Sequence, residues 1–192
     1  MKTLGITDYK GFCFTHNKEN RNKDVFLMIS GDFSGIQKFI YHIRSEGAMR
    51  MLRGRSFYLD IALENIVDEL LNALHLSRAN LIYCSGGHFY ILADNTKETQ
   101  DAVKDVAKKI NQGLVKLFSG TLYLAIGCEP LCANDLMAES DTVHHKKNIF
   151  RSVSEKVSMA KLSRYDPDIL TELFDENSNC LLYTSPSPRD RG

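Results

Sequence analysis

Residues 25–58 read VFLMISGDFSGIQKFIYHIRSEGAMRMLRGRSFY, and the fold turns on how this stretch divides. Val25, Phe26, Leu27, Met28 and Ile29 form an unbroken apolar run, the pattern of a buried strand. The run breaks at Ser30-Gly31-Asp32, and Phe33-Ser34-Gly35 supplies a small-residue turn. Ile36, Phe39, Ile40 and Ile43 then fall at i, i+3, i+4 and i+7, one face of a helix. The pattern predicts a strand over 25–30 and a helix over about 33–45. Asp32 would stand at the strand end, before a helix whose N–H groups and positive dipole end suit phosphate. A carboxylate there can also hold a divalent cation. From Lys38 to Arg55 the cations Lys38, Arg44, Arg50, Arg53 and Arg55 face a single acid, Glu46. Spacing alone favours a simpler role, in which Asp32 caps the turn and the arginines form a solvated face, because short motifs recur by chance.

The rest of the chain alternates helical and strand patterns. A loop with Gly47 and Gly54 precedes a long helix predicted over about 56–74, with Leu59, Leu63, Ile66, Val67, Leu70 and Leu74 at helical spacing. Apolar runs at 80–84 and 89–93 flank Ser85-Gly86-Gly87-His88, the pattern of a glycine-turn hairpin. Asn95 with Glu98 predicts a capping box. The following helix carries Val103, Val106, Ala107, Ile110, Leu114, Leu117 and Phe118 on one stripe and stops at Gly120. A fourth strand is predicted over 121–127, a loop over 131–147 and a last helix over about 148–164, ending before Asp166-Pro167.

This order, β-α-α-β-β-α-β-α, reduces to βαββαβ, a ferredoxin-like α+β arrangement with an extra long helix and a C-terminal helix. Strand 1 should be central with the hairpin beside it, and the helices are expected on one face. Asp32 and the 85–88 turn then meet at one sheet edge. Palm domains of polymerases and nucleotidyl cyclases build two-metal sites in this way.

The 192 residues are 43% hydrophobic and 25% charged, enough for one domain with a real core. The 24 basic and 24 acidic residues balance, so no global charge points to nucleic acid or membrane. No apolar run approaches about 18 residues, and a membrane partner is not expected. The start, MKTLGITDYKGF, lacks the apolar core of a signal peptide. Five scattered cysteines suit reduced thiols and a cytoplasmic location. Residues 1–24 read as a lead-in whose polar NKENRNKD, 17–24, is an exposed loop. The palm domain is expected over 25–165 and the start of another segment over 166–179. Residues 180–190, CLLYTSPSPRD, match the translation of a transposon-based sequencing-library adapter. The native sequence is therefore expected to end near Asn179, and 180–192 to be foreign.

GDFSGIQKFIY at 31–41, GAMRMLRGRSFYL at 47–59 and SGGHFYIL at 85–92 resemble three successive blocks of one family. That family is the large subunit of type III-A CRISPR–Cas effector complexes, and the resemblance covers roughly 25–165. It implies the first of two palms in a subunit that makes cyclic oligoadenylates on binding target RNA, with ATP between the palms. It also implies single-stranded DNA degradation, a role in antiviral defence and an upstream HD-type nuclease domain; no His-Asp dipeptide occurs in these 192 residues. The implied partners are the second palm, other CRISPR effector subunits, crRNA and target RNA. The implied cofactors are ATP, as substrate, and Mg2+ or Mn2+, with Asp32 as the candidate metal ligand. The implied nucleotide pocket takes in Asp32, Phe33, Ser34, Gly35, Ile36 and Gln37 with Ser85, Gly86, Gly87 and His88. Arg53, Arg55 and Ser56 are implied to meet phosphate or to brace one palm against the other.

Active palms often carry a second acidic pair at the hairpin, as Gly-Gly-Asp-Asp or Gly-Gly-Asp-Glu. Here Gly86-Gly87 is followed by His88-Phe89, so Asp32 stands without a hairpin acid and the fragment alone should not run two-metal chemistry. The side chains of Phe33, Ile36, Phe57 and Tyr58 are expected in the core. Cys128-x-x-x-Cys132 with His144-His145 has the composition of a zinc site, but four converging ligands are needed and a solvated loop is preferred. The competing function is a non-catalytic ferredoxin-like module docking protein or RNA, with Tyr83, Phe89 and Tyr123 as strand aromatics.

Overall fold

A continuous apolar run at the heart of a sheet needs cover on both sides, and this one has it. The computed structural model describes residues 21–41, 48–136 and 148–164. Their elements are β1 (Phe26–Ser34), α1 (Ile36–Tyr41), α2 (Ala48–Ala73), β2 (Leu81–Ser85), β3 (His88–Asp94), α3 (Lys97–Phe118), β4 (Tyr123–Leu131) and α4 (Ile149–Leu162). Short 3-10 turns occupy Arg78–Asn80 and Ala133–Leu136. The sheet order is β2-β3-β1-β4, with every neighbouring pair antiparallel, so β1 is central and the chain has the expected ferredoxin-like topology. The hairpin forms as predicted, with Cys84 opposite Phe89 and Ser85 opposite His88.

Alternation along β1 divides the interior in two. Leu27, Ile29 and Phe33 point into a core filled by Leu59, Leu63, Val67 and Leu70 of α2 and Val103 and Leu114 of α3. Met28 points the other way, into a second cluster with Leu131, Ile149 and Val153. The helices are therefore not confined to one face: α4 covers the second. The helix comes close to the sheet at Gly127, where an added Cβ would lie 2.7 Å from the Val157 backbone nitrogen. Asn111 of α3 fastens the outer side of β4, donating to the Leu124 carbonyl at 2.9 Å and accepting from the Leu124 N–H at 2.8 Å.

Several boundaries differ from the sequence expectation. Ser30-Gly31-Asp32 does not end the first strand; β1 runs on to Ser34, paired to both neighbours at Asp32. Gly31 serves close packing rather than a turn, since an added Cβ would lie 2.2 Å from Cε1 of Phe89. The turn is compressed into Gly35, at φ 92°, and α1 begins at Ile36. Residues 42–45 of the predicted first helix and Gly47 lie outside the described residues. Helix α2 starts at Ala48, not 56, and carries Gly54 within it. That glycine has open space around it; its cost of about 1 kcal/mol is small beside the burial of the Leu59–Leu71 stripe. Phe57 and Tyr58 are not core: they are 66% and 46% exposed on α2, although Tyr58 meets the Phe39 and Phe118 rings.

The cap of α3 is Thr96, whose side chain accepts from the Thr99 N–H, rather than Asn95. Asn95 instead donates to the Asp24 carbonyl and accepts from Gln100. The helix stops on two left-handed residues, Ser119 at φ 46° and Gly120 at φ 71°. Strand β4 extends to Leu131, past the predicted end, because it pairs with β1 along its whole length.

Candidate functional site

Asp32 of β1 lies directly opposite His88 of β3, at the tip of the hairpin. Gly86 and Gly87 both take positive φ, 63° and 85°, the type I′ geometry that matches the twist of a two-residue hairpin. The tip is tied to β1 by the Phe33 N–H donating to the Gly87 carbonyl at 2.9 Å. Gly87 is buried, and an added Cβ would lie 2.3 Å from Cδ1 of Ile36. Gly35 is equally constrained, since a Cβ there would meet the Thr121 carbonyl oxygen at 2.0 Å. Strand end, α1 entry and hairpin tip thus form one rigid corner with backbone close to its surface.

The polar groups of this corner lie on the sheet face that α4 covers. Asp32 pairs through Oδ2 with the ammonium of Lys161, in the last turn of α4. The Asp32 side chain is 26% exposed and that of Lys161 36%. Ser30, fully buried, has its hydroxyl 3.4 Å from His88 Nε2. The His88 ring packs edge-on against Tyr90, centroids 4.6 Å apart. Partial burial holds the His88 pKa below its ordinary value; Asp32 opposes this and Lys161 reinforces it. His88 is accordingly a neutral imidazole near neutral pH. Further along the same face, Lys156 bonds the almost fully buried Glu129 at 2.6 Å.

The other predicted site residues are distributed around this corner. Ser34 is half-buried at the end of β1, while Gln37, Ser85 and Gly86 are exposed. The side chain of Phe33 is buried, so only its backbone is available to a ligand, and that of Ile36 packs partly against the same core. Arg53, Arg55 and Ser56 stand on α2, which packs against the opposite face from the Asp32 carboxylate. Arg53 and Ser56 are exposed. Arg55 donates to the Phe39 carbonyl and lies 5.3 Å from the centre of the Phe39 ring, bracing α1 against α2.

Sequence reasoning missed Ser30 and Lys161. The signal for Lys161 is a stripe at steps of four, Ile149, Val153, Val157 and Lys161, whose first three members are buried. The fourth is a lysine, and it reaches Asp32, the only acid within β1.

A zinc site through Cys128 gains no support. Cys128 packs against the main core, and burial pushes its thiol up to about 11. His144 and His145 lie outside the described residues. Cys132 instead clusters with Asp24 and Asp135, and its N–H donates to Asp135 at 2.9 Å. Of the strand aromatics, Phe89 is fully buried and Tyr83 49% exposed, while Tyr123 lies under the Arg164 guanidinium. Among the described residues no helix is long and apolar enough to cross a membrane.

Comparison with known proteins places this corner in context. The family profile of Csm1 subunit domain B matches residues 25–176. The chain is 40% identical over 181 residues to the CRISPR system single-strand-specific deoxyribonuclease Cas10/Csm1 (subtype III-A) of Mycobacterium tuberculosis, covering 90% of this chain and 22% of that protein. The protein of the same name from Streptococcus thermophilus is 40% identical over 166 residues, covering 86% and 22%. The chain therefore spans about a fifth of the length of the relatives it matches. A crystal structure of a Csm1–Csm4 cassette in complex with AMPPNP superposes with TM-score 0.69 at 34% identity, over 81% of this chain and 21% of that one. A cassette in complex with one ATP gives 0.67 at 34% over 81% and 21%, and one with cA4 gives 0.66 at 35% over 77% and 20%. The match runs from the start of β1 to beyond α4, and on it the chain belongs to the Csm1 family of type III-A CRISPR large subunits, through its domain B.

Proposed function

We propose that residues 25–165 are the first palm of a type III-A large subunit and contribute half of a composite ATP site for cyclic oligoadenylate synthesis. The observation that carries this is the register of Asp32 against His88: the corner keeps the palm's strand-end carboxylate and glycine hairpin but has an imidazole where an acid would be needed. Two-metal phosphoryl chemistry requires carboxylates holding both ions about 4 Å apart. One carboxylate cannot do this, so the second palm supplies the metal-binding acids and closes the pocket. The backbone of Ser34, Gly35, Ile36 and Gln37 and the Gly86-Gly87 turn form the wall against which the nucleotide rests. Csm1–Csm4 cassettes solved in complex with AMPPNP, with one ATP and with cA4 support nucleotide binding by an assembly to which this domain would contribute.

In the whole protein, target RNA paired to crRNA would switch synthesis on, in antiviral defence. Single-stranded DNA cleavage belongs to the same parent, in keeping with the name its relatives carry. Other Csm subunits are its partners; the solved relatives are Csm1–Csm4 cassettes. The buried ring of Phe89 is unavailable for base stacking, which disfavours an RNA-docking sheet face.

The test is chromatography of ATP incubated with the 192-residue chain and Mg2+ or Mn2+, with and without a second palm bearing a Gly-Gly-Asp-Asp hairpin. No oligoadenylate is expected from the chain alone, and product is expected when the second palm is added. Product from the chain alone, abolished by Asp32→Ala, would overturn the half-site assignment.

A further inference from the structure

The family resemblance implies a divalent cation at Asp32, and the residues around Asp32 do not fit one. Mg2+ demands near-octahedral oxygen ligation and gives up water reluctantly, so it needs several oxygen ligands or substrate phosphates. Asp32 is flanked in the sheet by His88 on β3 and Ala125 on β4, and neither is an acid. Among the described residues the one cluster with the makings of a metal site is Asp24, Cys132 and Asp135, which does not include Asp32. Above all, a cation is already present. The Lys161 ammonium sits on Asp32 Oδ2.

The position of that ammonium is built into the fold. Ile149, Val153 and Val157 are buried on the face of α4 that ends in Lys161. Gly127 lets the α4 backbone settle against β4 at Val157. One turn back from Lys161, the pair between Lys156 and buried Glu129 fastens the same helix to the same sheet. The sheet thus presents two acids, Glu129 and Asp32, and α4 answers each with a lysine.

We propose that Lys161 is the resident cation of the Asp32 half-site: its ammonium, rather than a divalent ion, pairs with Asp32 and meets the phosphates of a nucleoside triphosphate. Asp32 then acts as a positioning residue, holding the ammonium at the corner formed by the β1 end and the Gly86-Gly87 turn. An ammonium binds phosphate as a compact point charge with three donors and needs no metal to do so. The phosphate contact rests on the nucleotide reading above; the exclusion of the metal does not.

The experiment measures Mn2+ binding to the 192-residue chain by electron paramagnetic resonance, and ATP binding in excess EDTA by calorimetry. In the first arm, Asp32→Asn should leave Mn2+ binding unchanged from wild type. Lys161→Met should gain no Asp32-dependent Mn2+ site either, because the freed carboxylate has no second acid beside it. Lys161→Arg, which keeps the charge and guards against a folding defect, should bind Mn2+ as wild type does. In the second arm, ATP should bind wild type and Lys161→Arg in EDTA, and Lys161→Met several-fold more weakly. An Asp32-dependent Mn2+ site in wild type overturns the resident cation whatever ATP does. Failure of ATP to bind wild type, with the Mn2+ results as expected, overturns the nucleotide reading and the phosphate contact but leaves the excluded metal standing.

Discussion

Asp32 and Lys161, 129 residues apart, join the central strand of the sheet to the helix that closes its second face. Both side chains are partly exposed, so the pair orients groups more than it stabilises the fold. Lys161→Met should therefore change unfolding free energy by less than about 1 kcal/mol in urea titrations. A loss of several kcal/mol would show that the pair is a structural brace and not a site.

The seat of α4 is a different matter. Gly127→Ala places a methyl group against the Val157 backbone, which cannot rotate away as a side chain would. It should cost about 1–3 kcal/mol and shift the amide signals of the Val153–Val157 turn. A variant as stable as wild type would mean that α4 rides higher on the sheet than described.

The His88 pKa is held below the ordinary 6.5 chiefly by partial burial. The unfolded chain therefore takes up this proton at higher pH than the folded chain does. Folding stability is kept above about pH 6.5 and falls as pH drops through the interval between the unfolded and folded values. In His88→Asn that component is absent, so the melting temperature of the variant relative to wild type should rise between about pH 7.5 and pH 5. A gap that stays constant or moves the other way would place His88 in a setting that favours its charged form.

Much of the fold was legible because its signals were periodic. The two-faced apolar run gave β1, the heptad-like stripes gave α2 and α3, and Gly86-Gly87 between two apolar runs gave the hairpin and its tip at Asp32. Glycines were the main source of error. Gly31 and Gly54 resemble breakers in sequence, yet one makes room for the Phe89 ring and the other sits on an open helix face. The placement of α4 was also implicit in Met28, which needed burial on the side away from Leu27 and Ile29. Lys161 was hidden for a different reason. No local pattern links a carboxylate to an amine 129 residues away; only the sheet order and the α4 stripe bring them together. The arginines of α2 show the reverse case: they are near Asp32 in sequence and on the other side of the sheet from its carboxylate in space.

The half-site claim is tested most directly by titrating ATP into the isotopically labelled 192-residue chain and following backbone amides by two-dimensional NMR. Saturable shifts concentrated at Ser34, Gly35, Gln37, Gly86 and Gly87, and weakened in Lys161→Met, are the predicted result. Shifts centred elsewhere, such as on the exposed face of α2 around Arg53 and Phe57, or no saturable shift at all, would contradict it.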